Sequence, residues 1–357
     1  MSKVHNFSAG PCILPQEVLK QASEAVLNFN NLNLSLIEIS HRSKDFVEVM
    51  EKARSLVKEL LNVPDTYEIL FLQGGASLGF LKTAYNFMKE GGSAAYVNTG
   101  AWSSKAIKEA QRLGEVIEVA SSKDKNFNYI PNNFQIPGGA SYLHITTNNT
   151  IFGTQFKKTP ISRIPIIADM SSDIFSKQIN VSDYDMIYAG AQKNMGPAGT
   201  TLYIVKKTAL NKTGRDIPTM LNLETHIKKD SMFNTPPVFP IYVSMLTLQW
   251  LKDNGGVEWI ENINQQKADL LYNEIDSNPL FEGTANKFDR SNMNATFVLT
   301  NEDLKDEFDA MWQAANISGI KGHRDVGGYR ASMYNALPLE SVQVLVDVMK
   351  EFAKKHA

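Results

Sequence analysis

The chain has 357 residues, 43% of them hydrophobic, and a formal charge of only -2, which is enough to bury one large apolar core and a second, smaller one. Acidic and basic residues are interspersed, so there is no basic stripe for nucleic acid and no polybasic arm or bilayer-length apolar run (~20 residues) for a membrane. The start, Met1-Ser-Lys-Val-His-Asn6, lacks the apolar stretch of a signal peptide, and a single cysteine, Cys12, cannot close an intramolecular disulfide, so a reducing, cytoplasmic setting is expected.

Short apolar runs alternate with helical patterns, as in a sheet covered by helices on both faces. The expected strands are Glu68 to Leu72, Ala94 to Val97, Glu115 to Val119, Tyr142 to Thr146, Pro165 to Ala168, Met186 to Ala189 and Thr201 to Val205. Their unbroken apolar character suits strands buried on both faces. Between them, Leu78, Leu81, Tyr85 and Met88 recur at helical spacing, as do Ile107, Ala110 and Leu113, and both stripes are expected in the core.

The strand ends carry the chemistry. Leu72-Gln-Gly74-Gly75-Ala76-Ser77 lies between a strand and a helix, where small residues let backbone N–H groups and the helix pole meet an anion. A plain tight turn is the alternative, and the motif matches neither a P-loop nor a dinucleotide fingerprint. Asn98-Thr-Gly-Ala-Trp102 places a flat indole just past a strand, able to stack on an aromatic ring or simply to fill the core. Asn148-Asn-Thr150-Ile-Phe-Gly153 offers a hydroxyl and amides at the same end of the sheet. If all the strands are parallel, Gly74, Trp102, Thr150 and Asp169 gather at the carboxyl edge, where open α/β sheets bind ligands.

Asp169 ends the run Ile164-Pro-Ile-Ile-Ala-Asp169, and Lys193 follows in Tyr188-Ala-Gly-Ala-Gln-Lys193-Asn-Met-Gly-Pro-Ala-Gly199. An aldehyde cofactor such as pyridoxal phosphate needs both groups, an amine to form an imine and an anion to keep its ring nitrogen protonated. Taken alone, either residue reads as a surface lysine or a turn aspartate. Gly196, Pro197 and Gly199 keep a helix from starting after Lys193 and place it on a rigid turn.

Past Pro236-Pro237 a helical stretch runs from about Tyr242 to Leu251, breaks at Gly255-Gly256 as a hinge would, and resumes from Val257 to Ile275. A strand at Thr296 to Leu299, a helix near Asp303 to Ala315, a strand near Ala331 to Tyr334 and a helix from Glu340 to Lys354 complete a smaller α+β unit. Cations cluster at His41-Arg42 and at His323-Arg324 with Arg330. Arginine grips carboxylate or phosphate through paired hydrogen bonds, so several of them suit a substrate with two anionic ends. Neither His41 nor His323 has cysteine or carboxylate partners at ligand spacing, which argues for anion binding and against a metal.

These residues resemble the phosphoserine aminotransferase family of fold-type I, class V pyridoxal-phosphate enzymes. The likeness runs through Asn6-Phe-Ser-Ala-Gly-Pro11, Ser40-His-Arg42, Gln73-Gly-Gly-Ala-Ser77, Asp169-Met-Ser-Ser172, Gln192-Lys193, Phe233-Asn-Thr-Pro-Pro237 and Gly322-His-Arg with Gly328-Tyr-Arg-Ala-Ser-Met-Tyr-Asn335. The resemblance implies a large cofactor domain (16–255) built on a mostly parallel seven-stranded sheet flanked by helices, and a small α+β domain (1–15 and 256–357). It implies transfer of an amino group from phosphoserine to 2-oxoglutarate, giving 3-phosphooxypyruvate and glutamate, in serine biosynthesis. It leaves 4-phosphooxy-L-threonine, from pyridoxine biosynthesis, open as a further substrate. By resemblance, Lys193 and Asp169 are catalytic; Ala76, Ser77, Trp102, Thr150 (as a donor) and Gln192 hold the cofactor; and Asn234 and Thr235 complete the site of a second subunit in a homodimer. Arg330 would clamp the substrate α-carboxylate, and His323 and Arg324, with His41 and Arg42 from the partner chain, the distal anion. Some members carry arginine where Ser77 stands; the backbone still donates there, so cofactor binding is expected to survive. Another class V aminotransferase or lyase, or a cofactor-binding protein without turnover, would keep Lys193 and Asp169 as well.

Overall fold

The computed structural model describes residues 3–356. A two-residue strand, His5–Asn6, pairs parallel with Ile317–Ser318, and helices α1 (Gln16–Leu27) and α2 (Lys44–Leu60) follow it. The Ser43 hydroxyl caps α2 by accepting from the Phe46 N–H at 3.4 Å, and Phe46, Val49, Met50, Ala53, Val57 and Leu60 form its buried stripe. Next come β1 (Tyr67–Leu72), α3 (Gly75–Phe87), β2 (Ser93–Asn98), α4 (Ala101–Ala110), β3 (Glu115–Ser121), β4 (Leu143–Thr146), β5 (Ile166–Asp169), β6 (Met186–Gly190) and β7 (Thr201–Lys206). These seven strands form one sheet in the order β1-β7-β6-β5-β4-β2-β3. The inner strands are buried apart from the half-buried Ser93 and Lys206 at their ends, whereas β3, at the edge, exposes Glu115 and Glu118.

The sheet is mixed rather than wholly parallel. β7 runs antiparallel to both β1 and β6, because the 191–200 link is a turn, too short for the crossover that parallel neighbours need. The expected core stripe of α3 also lies differently. Leu78, Leu81 and Tyr85 are half-buried, while Phe80, Thr83, Ala84 and Phe87 face inward with Met88. Gly79 explains the choice of face: a Cβ there would stand 2.7 Å from the Tyr188 ring, so the helix can lie this close to the sheet only through its glycine side.

After α5 (Leu223–Ile227) and α6 (Val238–Asp253), the chain turns at Gly255 and Gly256, whose φ of 110° and 73° suit glycine. Then follow α7 (Gly256–Ser277), β8 (Phe281–Gly283), β9 (Asn294–Leu299), α8 (Lys305–Ala314), β10 (Tyr329–Ser332) and α9 (Leu339–Lys355). Strands β8, β9 and β10 form an antiparallel sheet. β10 starts and stops earlier than the apolar pattern suggested. Past Ser332 the carbonyls of Met333, Tyr334 and Leu337 turn instead toward the buried Lys267 Nζ, at 3.0, 2.9 and 3.2 Å.

One apolar core runs from Val18 to Ile260, a second joins Phe7 to residues between Ala268 and Phe352, and a third packs α3 and α4 on the large sheet through Phe80, Ala84, Phe87, Ile107 and Tyr188. Helix α7 feeds the first two, through Val257 and Ile260 at one end and Leu271 and Ile275 at the other. Among the described residues no helix is long and apolar enough to cross a membrane.

Candidate active site

Parallel strands end on a common rim, and five of them deliver the groups of interest there. After β1, Gly74 has φ +111°, and a Cβ on it would lie 2.4 Å from Leu78 Cδ2, so only glycine fits. That turn starts α3 at Gly75 and leaves the N–H groups of Gly75, Ala76 and Ser77 without intrahelical acceptors at the positive pole of the helix. On its outer lip Asn234 Nδ2 donates to Gln73 Oε1 at 3.1 Å, and Gln73 Nε2 donates to the Thr235 carbonyl at 3.0 Å. Within a single chain, therefore, Asn234 and Thr235 already border the phosphate-type turn.

After β2, Trp102 sits in the first turn of α4. Its Nε1 is buried and has no partner. After β4, a small hairpin pairs Asn148 and Asn149 with Gln155 and Thr154 and carries Thr150 in its turn. The Thr150 hydroxyl accepts from Lys193 Nζ at 2.8 Å, and its carbonyl accepts from Arg330 Nη1 at 3.4 Å. Asp169 closes β5. Its Oδ1 accepts from the Ser171 N–H at 2.9 Å and from the Ser171 hydroxyl at 2.6 Å, an Asx turn that fixes the carboxylate. The hydrogen bonds to this side chain, among the described residues, all fall on Oδ1.

Lys193 occupies the β6–β7 link, expected to be a rigid turn and found as one. Gly196 N–H donates to the Ala191 carbonyl at 2.9 Å and Asn194 Nδ2 to the Ile174 carbonyl at 2.6 Å. The N-terminal segment passes over this link: Cys12 N–H donates to the Gln192 carbonyl at 3.1 Å, and a Cβ on Gly10 would lie 3.5 Å from Lys193 Cγ. Lys193 Nζ stands 4.8 Å from the centroid of the Trp102 ring. Burial pushes its ammonium down to about 8, with Asp169 pulling up and Arg330 pushing further down. Burial raises the Asp169 carboxyl, opposed by Lys193 and by the Ser171 hydrogen bonds. Arg330 is drawn below its ordinary value by burial, and its Nε is buried without a partner; it stays charged.

Lys193, Asp169, Trp102, Thr150 and Arg330 thus share one rim, with Ala76, Ser77 and Gln192 on it and Asn234 and Thr235 at its lip. The remaining cations stand apart within one chain. His41 and Arg42 precede α2; Arg42 is exposed, His41 Nε2 is buried without a partner, and neither side chain bonds to another predicted site residue. His323 and Arg324 occupy the tip of a hairpin, where His323 Nδ1 accepts from the Asp325 N–H at 3.2 Å and the Arg324 side chain is 91% exposed.

Several neighbours escaped the sequence reading. Ser171 could have been found from the Asp-x-Ser spacing of an Asx turn. Asp173, buried and bonded by Thr147 at 2.5 Å and Gln155 at 3.2 Å, could have been found as a second carboxylate in an apolar stretch. Gln73 and Tyr334 stood in the resembling motifs without an assigned role, because their roles arise from partners more than a hundred residues away: Tyr334 Oη donates to the Ala9 carbonyl at 2.8 Å. A cavity of about 240 Å³ lined by Thr147, Asp173, Lys177 and Tyr184 contains none of the predicted residues.

The donor set fits pyridoxal phosphate. A glycine-only turn with free N–H groups suits a phosphate, an indole face suits a ring, a carboxylate with one oxygen unbonded suits a protonated ring nitrogen, and a primary amine stands between them. Among the described residues no group of three or more His, Cys, Asp and Glu side chains could hold a metal ion.

Comparison with known proteins bears on the family and the fold. The family described as aminotransferase class-V matches residues 4–345. The phosphoserine aminotransferase of Flavobacterium psychrophilum is 65% identical over 354 residues, 99% of each chain, and that of Bacteroides fragilis 55% over 356 residues, 99% of this chain and 100% of the other. Among solved structures, phosphoserine aminotransferase from Bacillus circulans subsp. alkalophilus superposes with a TM-score of 0.96 at 41% identity, covering 99% of both chains. The pyridoxal-phosphate-bound phosphoserine aminotransferase from Trichomonas vaginalis gives 0.92 at 35% identity, covering 98% of this chain and 100% of that one.

Proposed function

The chain belongs to the aminotransferase class-V family, and from that premise we propose that it is a phosphoserine aminotransferase acting in serine biosynthesis. It exchanges an amino group between O-phospho-L-serine and 2-oxoglutarate, giving 3-phosphooxypyruvate and L-glutamate. The observation that carries this reading is the meeting of Lys193, Thr150, Trp102, Asp169 and Arg330 on one rim.

Pyridoxal phosphate, when bound, supplies an aldehyde open to amines and a ring that accepts the electron pair left when a Cα proton departs. The chain's own residues do the rest. The N–H groups of Gly75, Ala76 and Ser77, with Gln192, would hold the phosphate, and the Asp169 carboxylate would keep the ring nitrogen protonated. Trp102 orients the ring. Lys193 Nζ, whose lowered pKa of about 8 leaves a neutral fraction near neutral pH, would take the substrate's Cα proton and return it to the cofactor's aldehyde carbon, C4′. Arg330 receives the α-carboxylate, which gives its orphaned Nε an acceptor. Thr150 presents a lone pair to Lys193 and positions it.

We propose further that the working unit is a cytoplasmic homodimer in which Asn234 and Thr235 also reach the neighbouring site. His41 and Arg42 of the partner subunit join His323 and Arg324 around the distal anion, which suits their separation from Lys193 within one chain. Residues 16–255 would form the cofactor domain, and 1–15 with 256–357 the small one.

The test is an absorbance spectrum of the purified protein before and after O-phospho-L-serine, L-glutamate and L-alanine. A visible band from cofactor held on Lys193 should move to the near ultraviolet with the first two and persist with alanine. It should be missing in Lys193→Ala. A visible band insensitive to phosphoserine would refute the substrate assignment, and no band after adding pyridoxal phosphate would refute the role of Lys193.

A further inference from the structure

Asp309 lies on α8, outside the cluster around Lys193, and is only 8% exposed. Its carboxylate receives three hydrogen bonds and faces one further cation. Oδ1 accepts from Trp312 Nε1 at 3.0 Å and from Tyr329 Oη at 2.9 Å, while Oδ2 accepts from Lys305 Nζ at 3.0 Å and faces Lys321 Nζ at 3.5 Å. Burial alone would raise this carboxyl, but the hydrogen bonds outweigh it and hold it below the usual carboxylate range. Asp309 is therefore charged at neutral pH.

Trp312 and Lys305 belong to α8 itself. Tyr329 and Lys321 belong elsewhere: they are the two residues of an antiparallel bridge at the mouth of the hairpin that carries His323 and Arg324. The Gly322 N–H donates to the Gly328 carbonyl at 2.8 Å just inside that mouth, and the Arg330 N–H to the Ile320 carbonyl at 2.7 Å just outside it. One buried carboxylate thus fastens both rails of the hairpin to the second core. The Tyr329 ring is stacked on Phe297 and set edge-on to Phe308, so that rail is also anchored by packing, whereas Lys321 is 64% exposed and tied mainly by charge. Beyond the mouth, Gly327 and Gly328 take positive φ of 77° and 53°.

We propose that Asp309 is a positioning residue for the second anion of the substrate. By tying Lys321 and Tyr329 together it aims His323 and Arg324 at the phosphate of phosphoserine or the γ-carboxylate of glutamate, and keeps Arg330, the next residue on the rail, in register. Asp309 itself touches no substrate. The inference rests on the reading of His323 and Arg324 as distal-anion ligands.

The test compares Asp309→Asn, Lys321→Met, their combination and Arg324→Ala in the holoenzyme. Asp309→Asn keeps the shape and an acceptor for Trp312 and Tyr329 but drops the charge that holds Lys321. It should raise KM for both phosphoserine and glutamate by up to about fivefold, the scale of one partly exposed ion pair, with kcat within about twofold and cofactor affinity unchanged. Lys321→Met, at a largely exposed position that folding tolerates, should raise both KM values by a smaller factor. The double variant should be no worse than Asp309→Asn, because both changes cut one tie. If Arg324→Ala weakens phosphoserine binding while Asp309→Asn and Lys321→Met leave KM alone, the inference falls and the reading of the tip stands. If Arg324→Ala has no effect either, both fall. A joint drop in kcat, cofactor affinity and melting temperature in Asp309→Asn would mark the residue as structural and overturn the proposal.

Discussion

Lys193 shows how one residue acquires chemistry from its surroundings. A lysine in water is almost wholly protonated near neutral pH, and a protonated amine is no nucleophile. Here burial brings the ammonium down to about 8, while Asp169 keeps it from falling further. The protonated form therefore prevails below about 8 and the neutral form above it. The rate at which apoenzyme takes up pyridoxal phosphate should accordingly rise with pH to about 8 and level off above about 9, as followed by quenching of tryptophan fluorescence. A rate that kept climbing through pH 10 would mean that Lys193 titrates like an exposed lysine and that its surroundings are misread. Arg330 illustrates the complement: its buried, partnerless Nε is a donor waiting for a carboxylate, whereas Arg324, out at its hairpin tip, depends on what the tip is held against.

At the scale of elements, turns decide where function lies. The β6–β7 link is too short for a helix, so it holds Lys193 at the sheet rim, and the Gly74 turn opens the start of α3 to an anion. Lys267 on α7 does the equivalent work for the chain beyond β10. Its side chain is fully buried, and burial pushes its ammonium down to about 7, yet its three hydrogens meet three carbonyls of the 333–337 turn. That turn delivers Tyr334 to the strap at Ala9 and Asn335 to Asn194, the neighbour of Lys193. Replacing the amine with a methyl thioether would leave those carbonyls buried and unbonded. Lys267→Met should therefore lower stability by about 3 kcal/mol, at roughly 1 kcal/mol or more per orphaned acceptor, read as a lower urea midpoint. An unchanged midpoint would show that water or a shifted turn satisfies the carbonyls.

Across the whole molecule, two of the three apolar cores meet along a polar seam. Asn335 N–H donates to Asn194 Oδ1 at 2.9 Å and Asn335 Nδ2 to the Phe175 carbonyl at 2.9 Å, while Asn264 Nδ2 donates to Asn335 Oδ1 at 2.9 Å. A second set joins Asn148, Asn294 and Ser332. Such directional bonds fix one relative placement of the cores, which greasy surfaces would not. The separation of His41 and Arg42 from Lys193 is a whole-molecule matter too. Subunit exchange between Lys193→Ala and Arg42→Ala, each nearly inactive alone, should restore up to about a quarter of wild-type activity, since each mixed dimer regains one intact site if the two residues serve opposite chains. No recovery would place them in the same site of one chain.

The sequence alone determined the strand-and-helix alternation, the strand ends that carry chemistry, and the meeting of Asp169 with Lys193, because buried strands, glycine turns and a reactive amine each leave a local mark in residue type and spacing. The sheet architecture and the class of aminotransferase were legible through the resemblance that the motifs around those marks bear to a known family. Tertiary structure decided what depends on partners distant in the chain. It reversed β7, because the length of a link and not its composition sets strand direction. It turned α3 onto its glycine face, because Tyr188 fills the space beneath. It tied Gln73 to Asn234, Tyr334 to Ala9, and Asp309 to both rails of the 321–329 hairpin. A hydrogen bond between residues far apart in the chain leaves no periodic trace, and its energy exists only once folding has brought donor and acceptor together.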